Sequence, residues 1–132
     1  MRTWNDLYKM LKNGEMDQSL IQTGCEDINA YRTRATEVMN GFEKTFGVKE
    51  DTLAVLCSAP GRTEICGNHT DHQHGHVLAA AVNLDFLACV SPNGTQTVHF
   101  QSEGWPMTTV DLSDLKQQED GKETTASLVP GE

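Results

Sequence analysis

Polar and titratable side chains are concentrated in one stretch of the chain, residues 59–75, which reads APGRTEICGNHTDHQHG and is called the signature segment below. A single arginine, Arg62, follows a Pro-Gly pair, and the nine residues after Gly67 include Asn68, His69, Asp71, His72, His74 and His76. Aspartate accepts hydrogen bonds from two hydroxyls, histidine and asparagine both donate and accept, and arginine adds a fixed positive charge. The segment therefore predicts a site that recognises vicinal hydroxyl groups.

Two other interpretations of the signature segment remain open. It could be a polar surface loop without a task, since such loops are common. It could also bind a metal ion, because its imidazoles stand beside a thiol and a carboxylate, at Cys66, His69, Asp71, His72, His74 and His76. That spacing matches no closed structural zinc pattern, so we assign no metal ligands.

The residues GRTEICGNHTDHQHG resemble the galactokinase signature, Gly-Arg-x-Asn-Leu-Ile-Gly-Glu-His-Thr-Asp-Tyr-Asn-x-Gly. The resemblance covers roughly residues 58–90, including the apolar run VLAAAVN that follows. The chain is similar to the N-terminal, galactose-binding part of a galactokinase, a sugar kinase of the GHMP superfamily. This implies ATP-dependent phosphorylation of the C1 hydroxyl of galactose, with this chain supplying the sugar-binding half-site. The alternative is a non-catalytic module of the same type that senses galactose.

The resemblance also implies roles for individual residues. Arg62 would be catalytic, near the sugar C1 oxygen, and the sugar-binding residues would be Asn68, His69, Thr70 and Asp71. Ser102 falls near a family serine of the nucleotide pocket. Three positions depart from the usual pattern, because Glu64 replaces Asn, Asn68 replaces Glu and His72 replaces Tyr. An asparagine at position 68 keeps hydrogen-bonding capacity but removes a negative charge, which affects the preference among sugars.

The family's cofactors would be ATP and Mg²⁺, with most of their ligands outside this chain. The superfamily's phosphate loop, of the type Pro-x-x-x-Gly-Leu-x-Ser-Ser-Ala, does not occur in the 132 residues, and neither does G-x-x-x-x-G-K. We therefore expect a truncated portion of a larger kinase, inactive alone, whose partners are galactose, ATP and the remainder of that kinase.

Two helices are predicted ahead of the signature segment. The first runs over Trp4–Leu11 with Thr3 as its N-cap and Gly14 as its stop, and the second carries an apolar stripe from Ile28 to Phe46. Asp27 is placed to cap the second helix and Gly47 to end it.

Short strands are predicted after the helices. Residues 53–57 form an apolar run that we expect to be a strand ending in a turn at Ala59–Gly61. A second apolar run, residues 76–90, is expected to end as a strand at residues 86–90. Residues 95–101 are expected to pair with residues 86–90, and residues 107–112 to form a third strand. The predicted fold class is α+β, with leader helices packed on a small mixed or antiparallel sheet. By resemblance this is the start of the GHMP fold, like ribosomal protein S5 domain 2.

The chain is divided by composition into a helical leader (1–50), the signature region with its first strands (51–112) and a polar connector (113–132). Its 10 Lys and Arg against 19 Asp and Glu give a net charge of −9, which argues against nucleic-acid and anionic-membrane surfaces. No apolar run reaches the ~18–20 residues of a membrane span, and the N-terminus lacks an export signal. We therefore expect a cytoplasmic location with reduced thiols, where Cys57 and Cys89 act as small apolar residues.

Overall fold

The computed structural model describes residues 1–67 and 74–113, and it has the predicted α+β class. Within the described residues, three helices and five strands follow one another in the order β1 α1 α2 α3 β2 β3 β4 β5. Their bounds are β1 Arg2–Thr3, α1 Trp4–Lys12, α2 Asp17–Ile21, α3 Ile28–Phe46, β2 Leu53–Cys66, β3 Leu78–Val90, β4 Thr97–Phe100 and β5 Thr108–Asp111. The chain divides into two compact units, residues 1–92 and 93–132.

The two predicted helices begin at the predicted caps. The Thr3 hydroxyl accepts a hydrogen bond from the Asp6 amide at 3.2 Å, which satisfies one of the free N–H groups of the first turn of α1. The Asp27 carboxylate accepts from the amides of Asn29 at 2.9 Å and Ala30 at 3.1 Å at the start of α3. Gly47 ends α3 with a φ of 74°, a backbone conformation that glycine adopts without strain.

Helix α2 was not predicted from the sequence. It is five residues long and has a single buried apolar residue, Leu20, so it shows no helical periodicity. An ion pair secures it, because Arg32 of α3 donates to the Asp17 carboxylate at 2.5 Å. Tertiary contacts rather than local sequence hold this element in place.

The helices bury one face of the sheet in the first unit. Buried apolar residues of α1, α2, α3 and β2 form this core: Trp4, Leu7, Leu11, Leu20, Ala35, Met39 and Ala54. Leu56, Leu87 and Cys89 of the long strands pack against it from the sheet side. Phe46, at the end of the predicted apolar stripe, is 42% exposed and lies outside this core.

The sheet of the first unit has the order β1–β2–β3, and both of its pairings are antiparallel. The expected turn at Ala59–Gly61 is wrong, because β2 continues through the Pro-Gly pair to Cys66. Pro60 lies opposite Asp85, next to a register shift in the ladder. A bulge is one of the few places where a sheet tolerates proline, since proline has no N–H to donate.

The opposite face of this sheet carries apolar side chains that the helices do not cover. The register places Val55 opposite Val90, Cys57 opposite Ala88 and Ala59 opposite Phe86, and directly opposed residues share a face. These six residues form the apolar face. Phe86 is 81% exposed, and the neighbouring Leu84 is 75% exposed. Cys57 is also exposed, and it lies among the apolar side chains of this face.

The second unit contains an antiparallel hairpin of β4 and β5, in which Val98 lies opposite Val110 and Phe100 lies opposite Thr108. The strand expected over residues 107–112 is thus present at Thr108–Asp111. The expected pairing of residues 95–101 with residues 86–90 is wrong, because the partner of β4 is β5. The chain reverses direction between β4 and β5, and Gly104, with a φ of 78°, allows this turn.

Among the helices of the described residues, none is both long enough and apolar enough to pass through a bilayer.

Candidate functional site

Arg62 lies within β2, where it is exposed and faces Ala81 across the ladder. It is therefore on a strand, and the predicted position at the mouth of a turn is wrong. Within residues 1–67 and 74–113, no carboxylate forms an ion pair with its guanidinium group. With no counter-ion among the described residues, this exposed guanidinium keeps its charge and its N–H donors available to a ligand.

A bulge in β3 lies next to Arg62. Between the pairs Pro60–Asp85 and Arg62–Ala81, three residues of β3 face the single residue Gly61. We call these three residues, Val82–Leu84, the β3 bulge. A Cβ atom on Gly61 would lie 3.1 Å from the Val82 side chain and 3.3 Å from the Leu84 carbonyl oxygen. Glycine at this position thus lets the β3 bulge pass close to β2.

Strands β2 and β3 are still paired just before the polar residues that follow Gly67. Cys66 pairs with Leu78, and Gly67 follows with a φ of 126°. A Cβ atom on Gly67 would lie 2.6 Å from Val77 Cγ1 and 2.8 Å from the His76 carbonyl oxygen. No side chain fits there, so glycine at position 67 allows the backbone on either side of the polar residues to approach closely, at Gly67 and at His76–Val77. We call this contact the hairpin base.

The predicted sugar-binding residues Asn68, His69, Thr70 and Asp71 lie outside the described residues, as does His72. Their convergence with Arg62 on one site stays a prediction. His74, the first described residue after this gap, has a φ of 61°, which is uncommon for a residue with a side chain. The described residues contain no group of three or more His, Cys, Asp and Glu side chains able to hold a metal ion.

Sequence reasoning missed a carboxylate with several hydrogen-bond donors among the described residues, that of Asp85 on β3. The hydroxyl of Tyr31 and the guanidinium of Arg34, both on α3, donate to it, and the Ser58 hydroxyl of β2 donates at 2.5 Å. Arg34 also donates to the Asp85 carbonyl oxygen at 2.7 Å. The Asp85 side chain is only 6% exposed. One signal could have found it, since Asp85 is the only charged residue in the strand LAAAVNLDFLACV.

The environment of Asp85 fixes its charge. Burial acts to raise the pKa of this carboxyl, but hydrogen bonds from Ser58, Tyr31 and Arg34, with the charge of Arg34, outweigh burial and lower the pKa to about 2. Asp85 is therefore a carboxylate at neutral pH. With its donors supplied by the protein, it is a structural anion rather than a general base.

Two shallow clefts lie beside the β3 bulge, with volumes of about 240 and 510 Å³. Both are lined by Gly24 and Asn83. Tyr31 and Arg34 line the smaller cleft, but their polar groups are engaged by Asp85. Glu26 and Asp27 of the same lining accept hydrogen bonds from Asn83 and from the first turn of α3, and the partly buried free thiol of Cys25 also lines this cleft.

Ser102, the residue expected near a nucleotide, lies in the second unit between β4 and β5. Its carbonyl oxygen accepts a hydrogen bond from the Trp105 amide at 3.1 Å, as part of the reversal between the two strands. The nucleotide role of Ser102 stays a prediction.

Comparison with known proteins finds similarity to galactokinases over part of the chain. Residues 40–92 match the family described as the galactokinase galactose-binding signature. A galactokinase of Lacticaseibacillus casei (strain BL23) is 32% identical over 90 residues, which are 66% of this chain and 22% of that protein. Galactokinases of Staphylococcus saprophyticus and Candida parapsilosis are 32% and 26% identical over 89 and 91 residues, covering 64% and 67% of this chain and 22% and 18% of those proteins. The chain spans about a fifth of the length of these curated relatives, and no solved structure matches it.

Proposed function

Because residues 40–92 carry the galactose-binding signature of galactokinases, we propose that this chain binds galactose through its signature segment and supplies the sugar-binding half of a galactokinase site. The match of the family signature to these residues is the observation that carries the proposal. Two structural features support it: the exposed guanidinium of Arg62 and the hairpin base, which brings both ends of the polar residues together. Asn68, His69, Thr70 and Asp71 are the proposed partners of the sugar hydroxyls.

The proposed reaction transfers the terminal phosphoryl group of ATP to the C1 hydroxyl of galactose. Arg62 would act in it by its charge, since negative charge on a transferring phosphoryl group is stabilised by guanidinium donors. Asp71 and His69 would orient the sugar by hydrogen bonds to its hydroxyls. Mg²⁺ bound to ATP would neutralise the phosphates, and its ligands would come from residues outside this chain. The proposed architecture is the beginning of the GHMP fold.

We further propose that the apolar face is covered by additional polypeptide of the kinase. The cross-strand pairs of the apolar face contain no charged residue, and the Phe86 side chain is 81% exposed. Apolar patches of this kind on a soluble domain commonly mark a contact surface. The first of the curated relatives is about three times as long as this chain, since the 90 matched residues are 22% of it. Such polypeptide would also supply the ATP side of the site.

Calorimetric titration with galactose tests the proposal on the chain and on its Asp71→Asn variant. Galactose should bind the wild-type chain, and the variant should bind about tenfold or more weakly, because a charge-assisted hydrogen bond is lost. Asp51→Asn is the matched control, since Asp51 is an exposed aspartate outside the signature segment. Equal affinities for all three proteins would contradict the assignment of Asp71.

A coupled assay for ADP release separates the enzyme from the sensing module. The 132-residue chain should be inactive under both hypotheses. A longer protein that includes the phosphate loop should turn over ATP with galactose only if the chain belongs to a kinase and not to a sensing module. Galactose-dependent turnover by the chain alone would show that the catalytic groups lie within it.

A further inference from the structure

We infer that Asp85 is a positioning residue for the sugar-binding site, because it ties helix α3 to the β3 bulge and thereby sets where Arg62 lies on the hairpin. The inference rests on the proposed function, since Asp85 would act on the sugar only through Arg62 and the signature segment.

The ladder between β2 and β3 shows what the β3 bulge does to Arg62. A regular continuation from the pair Pro60–Asp85 would put Asn83 opposite Arg62, whereas the structure puts Ala81 there. The bulge therefore shifts β3 by two residues relative to β2. At about 3.3 Å per residue, this shift is roughly 7 Å along the strand. The position of Arg62 and of the hairpin base relative to β3 thus depends on the bulge being formed.

The β3 bulge is held at its C-terminal end by Asp85. This residue follows the bulge directly, and its carboxylate joins three elements: one oxygen accepts from Tyr31 of α3 and Ser58 of β2, and the other accepts from Arg34 of α3. The second bond of Arg34, to the Asp85 carbonyl oxygen at 2.7 Å, fixes the backbone as well as the side chain. An anion with three donors around it holds the strand in one place.

A weaker contact holds the middle of the β3 bulge. Asn83 donates to the Glu26 carboxylate at 3.3 Å, in the segment just before α3. The residue ahead of the α3 cap therefore contacts the bulge itself, and the N-terminal half of α3 contacts the residue that follows it. This arrangement couples the leader helix to the position of Arg62, although α3 contributes no predicted sugar ligand.

The ion pair of Asp17 and Arg32 provides a matched control. It also joins an aspartate to an arginine of α3, with an N–O distance of 2.5 Å, but it secures α2 instead of the hairpin. Asp85→Asn and Asp17→Asn make the same chemical change on two sides of the same helix. A role confined to anchoring α3 would give both variants the same effect.

The test combines amide hydrogen exchange with galactose titration on the same samples of the 132-residue chain. In Asp85→Asn, amides of residues 61–63 and 82–84 should exchange about tenfold or more faster, while amides of α1 stay within about twofold of the wild type. Galactose affinity should fall about tenfold. Tyr31→Phe, which removes one donor and keeps the ring, should give a smaller change at the same amides, and Asp17→Asn should leave both readouts unchanged.

Faster exchange spread evenly over α1 and the hairpin in both Asp85→Asn and Tyr31→Phe would overturn the inference, because Asp85 would then be a general stabiliser. Unchanged exchange at residues 61–63 would overturn it too. A wild-type chain that does not bind galactose would overturn the proposed function, while the exchange pattern would still decide whether Asp85 sets the position of Arg62.

Discussion

Hydrogen-bond donors stabilise the charged form of Asp85, and the free energy of unfolding of the first unit therefore depends on pH in the acidic range. The folded protein lowers the pKa of Asp85 from the ordinary 3.8 to about 2. A carboxyl whose pKa is lower when folded contributes stability that is fully present above about pH 4 and is lost as the pH falls toward 2. Because Arg34 is partly exposed, this contribution is about 1–2 kcal/mol.

We therefore predict that the stability difference between the wild type and Asp85→Asn shrinks as the pH falls from 6 to 2. Urea unfolding followed by circular dichroism at several pH values measures it. Asp17→Asn is the control at each pH. A difference that stays constant over this range would show that the Asp85 carboxylate is not stabilised by its neighbours.

At the level of single elements, the hairpin base requires a residue without a side chain at position 67. Alanine there would suffer both an unfavourable φ of 126° and a Cβ contact of 2.6 Å with Val77. Gly24 is a matched control, since its φ is 82° but nothing lies within 4 Å of an added Cβ atom. Gly24→Ala should cost about 1 kcal/mol in the free energy of unfolding and Gly67→Ala about 3 kcal/mol. Equal costs in urea unfolding would contradict the close approach at the hairpin base.

The two longer helices, α1 and α3, could be predicted from the sequence because their signals are local. Thr3 and Asp27 are typical N-caps, and the apolar spacing repeats over several turns of α3. The bulged strand could not be predicted in the same way, since Pro60-Gly61 is equally typical of a turn. Only the pairing with Asp85 across the sheet, together with the room left by Gly61, shows that β2 continues.

The sequence predicts the residue types of the candidate site, which stay a prediction, but it does not predict the residues that hold Arg62 in place. The polar residues of the signature segment stand together in the sequence, whereas Tyr31, Ser58 and Asp85 come from three separate places. Asp85 in an otherwise uncharged strand was the one available signal, and its partners emerge only when the helix packs on the sheet.

At the scale of the whole molecule, the sheet of the first unit is covered by helices on one face, and its other face is exposed and apolar. If this apolar face meets further polypeptide in the kinase, polar substitutions in it and at the neighbouring exposed Leu84 should not destabilise the chain by itself. We predict that Leu84→Thr with Phe86→Thr leaves the free energy of unfolding within about 0.5 kcal/mol and reduces both dye binding and self-association.

Fluorescence of an apolar dye and sedimentation velocity measure these two effects. Ile21→Thr is the control, since Ile21 is a half-exposed apolar residue of α2 away from the face, at 50% exposure. A loss of several kcal/mol in the double variant would show that Leu84 and Phe86 are already packed within the chain.

The central claim is that the signature segment binds galactose, and mapping of galactose onto the backbone amides by NMR tests it most directly. Titration of the labelled chain should shift the amides of Arg62 and of residues 67–77, leave those of α1 unchanged and give no such response with glucose, which differs from galactose at a single hydroxyl. Shifts confined to residues outside the signature segment, or no shifts at saturating galactose, would contradict it.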